Sequence, residues 1–172
     1  MQNNEIHIGI ERGNHKLFDD LDKMSLLAQP ITILMIKIQF THERILGIKI
    51  KYRGMDGKTI VGQSSRKLKL FGVHFQKFKI DKNDCIKEIF GFAGTSINQL
   101  GFRTYRGHQV ACGSPKGQPF SFQIPNHTFI AAKGSHEEYL EYLCFRTIQL
   151  TQEQITNLAN DTQINKQQSF QT

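Results

Sequence analysis

The sequence predicts an all-β domain. Three observations carry that expectation: apolar and polar residues alternate over short runs, glycines fall between or beside the runs, and the runs recur about every ten residues. Alternation with a period of two turns one side of each run toward a core and the other toward water, as in a half-buried strand. Many short strands divided by Gly-containing turns build a sandwich, a barrel or a prism. A chain of 172 residues fits one domain. With 13 Phe and no Trp, its core is expected to consist of Phe, Ile and Leu.

The elements follow in order. Ile6, Ile8 and Ile10 alternate with His7, Gly9 and Glu11, which predicts a first strand. Residues 22–30 break the period and read as a loop with one helical turn. Ile36, Ile38 and Phe40 alternate with Lys37 and Gln39, and Ile48, Ile50 and Tyr52 with Lys49 and Lys51. The polar turn at residues 41–44 joins them into a hairpin. Asp56-Gly57 marks the next turn, because Gly takes positive φ without strain. Alternation continues through Lys67-Leu68-Lys69-Leu70 and, in part, from Phe75 to Ile80. Around Ile97, Leu100 and Phe102 it weakens and fixes no register. Phe120 and Phe122 flank Ser121, Phe129 to Ala132 form a short buried run, and Leu143, Phe145 and Ile148 close the series. Residues 1–150 are thus expected to form the β domain and residues 151–172 a polar tail. In that tail Thr151 and Gln154 form a capping box, and Ile155, Leu158 and Ala159 share a helical face. The mostly polar residues 165–172 are expected to be disordered.

Several function classes are disfavoured. Residues 1–14 contain no apolar stretch of signal-peptide length, and the longest apolar run is far too short to span a membrane. Cys85, Cys112 and Cys144 are odd in number and lack Cys-x-x-Cys spacing, so they read as reduced thiols rather than a disulfide framework or a zinc site. The expected compartment is intracellular, the cytoplasm. The sequons at Asn126 and Asn160 are then idle. A net charge of +7 attracts anionic partners without choosing among them, and no nucleic-acid-binding motif is present. No nucleophile elbow occurs, His127 and His136 lack partners at metal-ligand spacing, and nothing sets two carboxylates across a cleft. A non-enzyme without cofactor or metal is expected.

The order of the pieces is more specific than the class. Gly13 precedes Phe18-Asp19-Asp20, and the Ile36 to Tyr52 hairpin ends in Ile48-x-Ile50-x-Tyr52. Phe78-Lys79-Ile80-Asp81, Asp84-Cys85-Ile86 and Ile89-Phe90-Gly91 come next. Ile97 to Leu100 with Phe102, Gly113 to Gly117 with Phe120-Ser121, and Gly134 with Tyr139-Leu140-Glu141 complete the series. From about Glu5 to Gln149 it resembles the jacalin-related lectins. The resemblance implies a β-prism of three four-stranded Greek-key sheets with pseudo-threefold symmetry, here followed by a short helix and tail. It also implies sugar binding, of mannose or galactose type, between the loop after the first strand and the loop before the last. There a Gly-x-x-x-Asp motif presents a carboxylate to sugar hydroxyls. In this chain those positions hold Glu137 and Glu141, so the implied site residues are Gly13, Glu137, Tyr139, Leu140 and Glu141.

A second candidate surface is the basic stretch Arg66, Lys67, Lys69, Lys77, Lys79 and Lys82, interleaved with Phe71, Phe75 and Phe78. It offers a positive face for phosphate or sulfate, or else the solvated side of two amphipathic strands. The expectation drawn from these features is a scaffold subunit of a larger assembly, docked through residues 151–172 and carrying an altered sugar site. The alternatives are a working lectin and a basic face that holds anionic glycans or phospholipids.

Overall fold

The computed structural model describes residues 5–13, 16–63 and 71–168, with side chains as far as residue 160. Lys67 to Leu70 therefore lie outside the described residues, as do Arg66, Lys67 and Lys69 of the basic stretch. Among the described residues, twelve strands form three four-stranded antiparallel sheets. The chain runs through β1 (Glu5–Gly9), β2 (Lys16–Asp19), the one-turn α1 (Leu21–Met24), β3 (Thr32–Phe40), β4 (Ile45–Arg53), β5 (Thr59–Val61) and β6 (His74–Lys79). It continues through β7 (Ile86–Ala93), β8 (Ile97–Thr104), β9 (Gln109–Gly113), β10 (Gln118–Phe122), β11 (His127–His136), β12 (Leu140–Gln149) and α2 (Gln152–Gln168).

One Greek key is used three times. The central hairpin of the third sheet is β3–β4, with β5 beside β4 and β6 back beside β3. In the second sheet β7–β8 is flanked in the same way by β9 and β10. The first sheet has the order β1-β12-β11-β2, so the two opening strands complete a Greek key that the two closing strands begin. This is the predicted prism with its pseudo-threefold repeat.

The repeat extends to defects in the ladders. Each central hairpin carries two bulges, one extra residue near the start of each strand: Leu34 and Leu46, Lys87 and Asn98, Ile130 and Glu141. A bulge shifts the inward face by one position. Buried residues consequently stand three apart, not two, across each bulge: Ile33/Ile36, Ile45/Ile48, Ile86/Ile89, Ile97/Leu100, Phe129/Ala132 and Leu140/Leu143. That displacement explains the faint alternation around Ile97 and the unbroken run from Phe129 to Ala132.

Inward residues of the three sheets meet in one core, where Phe102 stands edge-on to Phe145 and Phe145 edge-on to Phe129, with centroids 6.1 Å apart. Ile10, expected on the inner face of the first strand, falls just past its end and is exposed. The capping box forms as the sequence indicates: Thr151 N–H donates to Gln154 Oε1 at 2.9 Å and Gln154 N–H to Thr151 Oγ1 at 3.2 Å. Leu158 is buried, and with Ile155 and Ala159 it lines a cavity of about 290 Å³ against Tyr105 and Leu150. The helix backbone continues to Gln168, further than the polar composition of residues 165–172 suggests. Gln and Lys are good helix formers, and extending a nucleated helix is cheap.

A buried carboxylate joins the first sheet to the third. Asp20, with no exposed surface, leaves β2 with its N–H bonded to Ala132 O at 3.0 Å. Tyr52 Oη donates to Asp20 Oδ2, and Gln63 N–H to Oδ1, both at 2.6 Å. Burial raises the Asp20 carboxyl above its ordinary value of 3.8, and the bonds from Tyr52 and Gln63 oppose the rise. A group with a raised folded pKa contributes stability that is complete below its unfolded value and fades as pH climbs through the folded one. In urea titrations over a series of pH values, Asp20→Asn should gain on the parent as pH rises from about 3.8, since it cannot ionise. Tyr52→Phe leaves Oδ2 without its donor and should cost about 1–3 kcal/mol near neutrality.

Candidate ligand site

The site implied by the sequence lies where β11 turns into β12. The turn at residues 137–139 is closed by a hydrogen bond from Glu137 N–H to Tyr139 O at 3.3 Å. Leu140 is wholly buried in the core, so it anchors the start of β12 and offers no surface to a ligand. Glu141 is the bulged residue that follows. Its carbonyl, freed from the β11 ladder, accepts the Ile10 N–H at 3.0 Å and so ties the loop after β1 to the loop before β12.

That close approach depends on Gly9. Its φ is +80°, and a Cβ there would stand 2.0 Å from the Glu141 carbonyl oxygen. The absence of a side chain lets β1 end directly against the bulge.

Lys16, Glu137, Glu138, Tyr139 and Glu141 line an open concavity of about 540 Å³. Glu141, though it lines the concavity, is itself buried, so the exposed polar groups of this wall come from Lys16, Glu137 and Glu138, which can donate to and accept from a polyhydroxylated ligand. The Arg44 guanidinium, which does not line the concavity, lies 4.5 Å from the centre of the Tyr139 ring. This cation–π contact occupies one face of the ring. The structure thus gathers Glu137, Tyr139 and Glu141, adds Lys16 and Glu138, and buries Leu140. Gly13 is exposed at the loop with open space around its Cα and does not line the concavity. Arg44 was invisible in the sequence because its turn lies far from residue 139. Lys16 and Glu138 adjoin quoted motifs, but only the fold places them on the wall.

The equivalent bulge in the second sheet behaves otherwise. Asn98 accepts the Ser96 hydroxyl at 3.0 Å and donates to Lys116 O at 2.8 Å, and its carbonyl accepts Ser114 N–H at 2.9 Å. Its amide is spent holding the two loops together. At the third equivalent bulge Leu46 is buried.

The family described as jacalin-like lectin domain matches residues 9–146. This chain belongs to that family. Frutalin from Artocarpus incisa superposes with a TM-score of 0.70 at 22% identity, covering 86% of this chain and 97% of that one. Malaysian banana lectin gives 0.68 at 16%, covering 86% and 99%. The lectin MPA, solved with T-antigen disaccharide, gives 0.66 at 23%, covering 77% and 99%. Comparison with curated protein sequences returns no match. At such identities the likeness establishes the jacalin-type prism. Among the described residues no helix is long and apolar enough to cross a membrane.

Gly9→Ala tests the interlock of the two loops. The variant must leave positive φ or push Glu141 away, at a cost of about 1–3 kcal/mol. Chemical denaturation should record that loss, whereas Gly13→Ala, in open space, should behave like the parent.

Proposed function

We propose that this jacalin-like domain is a non-catalytic carbohydrate-binding module whose ligand occupies the concavity between Lys16 and the 137–141 segment. The observation that carries this reading is the bulge at Glu141, whose carbonyl ties the loop after β1 to the loop before β12 beside a concavity lined by Lys16 and the 137–141 segment. Hydrogen bonds to charged groups are worth about 1.5–3 kcal/mol each. A glycan array followed by calorimetry on the best neutral sugar should find binding that tolerates salt. Glu141→Ala should weaken it at least tenfold, roughly 1.4 kcal/mol. Silence across neutral sugars would overturn the reading, and undiminished binding by the variant would remove Glu141 from the site.

A second reading rests on a separate observation. Lys77 and Lys79 of the basic stretch join lysines that the linear reading left out. Register lines up Lys49, Lys37 and Lys77 across β4, β3 and β6, and Lys51 and Lys79 beside them. All point outward, because Ile36, Ile38, Ile48, Ile50 and Phe78 fill the core. Strands β3 to β6 contain no Asp or Glu. Phe75, exposed at the edge, lies under the Lys37 ammonium at 4.6 Å. Such a face suits sulfated glycans or anionic lipid surfaces through long-range potential. Binding to heparin or to vesicles rich in acidic lipid should fall steeply between low salt and ~0.15 M, where screening acts within about 8 Å. The pair Lys37→Ala and Lys77→Ala should lower it further. Salt-insensitive binding would exclude this face.

Docking of residues 151–172 on a larger assembly has less support. Among the α2 residues with described side chains, Leu158 is buried against the domain, and Ile155 and Ala159 line the same cavity.

A further inference from the structure

The outer face of the first sheet brings together three different metal-ligating groups from opposite ends of the chain. Glu5 and His7 lie two apart on β1 and both face outward, since Ile6 and Ile8 enter the core. Cys144 on β12 is the register partner of His7, and Tyr142 stands two residues before it on the same face. Directly opposed side chains on antiparallel strands have Cβ atoms about 5 Å apart. A carboxylate oxygen of Glu5, a ring nitrogen of His7 and the Cys144 sulfur accordingly lie within 4.8 Å of one another. The Tyr142 hydroxyl is hydrogen-bonded to His7 Nδ1 at 2.6 Å, which fixes the imidazole against the sheet.

We infer that Glu5, His7 and Cys144 form a binding site for a divalent metal ion of borderline softness, zinc foremost. Sulfur, nitrogen and oxygen donors together suit such an ion and are ill matched to calcium or magnesium, which take all-oxygen shells. Ligand atoms around a tetrahedral zinc ion stand roughly 3.4–3.7 Å apart, given bond lengths of about 2.0–2.3 Å. From a spacing of up to 4.8 Å the donor atoms must close by about 1 Å to reach that geometry. The Tyr142–His7 bond is the kind of outer contact that orients a metal-bound imidazole.

Two cationic side chains already flank the Glu5 carboxylate. Lys133, the register partner of Cys144 on β11, places its ammonium 3.2 Å from Glu5 Oε2, and Arg146 lies 3.7 Å from Oε1. The Cys144 thiol donates to the same Glu5 Oε2 at 3.5 Å. On binding, the thiol gives its proton to solvent, a sulfur–metal bond forms, and Lys133 swings from the carboxylate into water. The dication is then neutralised by one thiolate and one carboxylate. The site is separate from the concavity at residues 137–141 and does not rest on the sugar-binding reading.

The test uses the full chain, stripped with chelator and titrated with cobalt(II). One equivalent should produce a thiolate-to-cobalt charge-transfer band and tetrahedral visible bands, both bleached by zinc. Cys144→Ser should abolish the charge-transfer band, and His7→Ala should weaken binding at least about tenfold. No such band in the parent overturns the site. A band that survives Cys144→Ser does so too, since it places the ion on Cys85 or Cys112. His7 is exposed, so His7→Ala keeps the fold and decides the question if Cys144→Ser fails to fold. Unchanged affinity in that variant also overturns the site.

Discussion

The junction of Asp20 with Tyr52 is the constraint from which the geometry of this prism follows. Two sheets can press together through apolar side chains in many ways, because the hydrophobic effect has no direction. A buried carboxylate is different. It must find its donors or leave the interior at a large cost. Here the donors are Tyr52 of the third sheet and Gln63 just past its β5, while Asp20 itself is fixed to Ala132 of the first. Gly62 is part of the same arrangement: a Cβ there would stand 2.1 Å from the Asp20 carboxylate. Once this corner is set, β2 and β11 have one placement against β4, and the loop before β12 has one place to close.

The bulges then give each sheet a corner of the same shape. What the corner does depends on the residue placed in it. Leu46 is apolar and buried, Asn98 stitches two loops, and Glu141, also buried, borders a concavity. The fold supplies three equivalent frames, and side-chain chemistry differentiates them. Function therefore belongs to the corner, and the prism alone does not assign it.

Much of this was readable in advance, and the parts that were not share a cause. The β3–β4 hairpin was legible because Ile36, Ile38, Ile48 and Ile50 keep strict alternation between its two bulges. The capping box at Thr151 was legible because both partners lie within one turn. The segment holding Glu137, Tyr139 and Glu141 was found from motif order, since these residues are neighbours in the chain. Alternation failed at Ile97 and Phe129 because a bulge inserts a residue without altering composition. The lysine rows and the Glu5–His7–Cys144 cluster were missed for another reason: each is assembled by register between distant strands. Cys144 looked inert by the spacing of cysteines alone, since its neighbours on the sheet are a His and a Glu from β1.

The first sheet is assembled from both ends of the chain, with Glu5 opposite Arg146 and His7 opposite Cys144. The two other sheets each draw on a continuous stretch and can form by local pairing. The first must wait until β11 and β12 exist, and closing so long a loop is the slow part of building a β fold. During synthesis the third and second sheets can therefore be in place while β1 and β2 still have unpaired edges. The concavity at Glu141 and the cluster at Cys144 both sit on this last-completed sheet. A molecule that can bind at either place has, by that fact, finished folding.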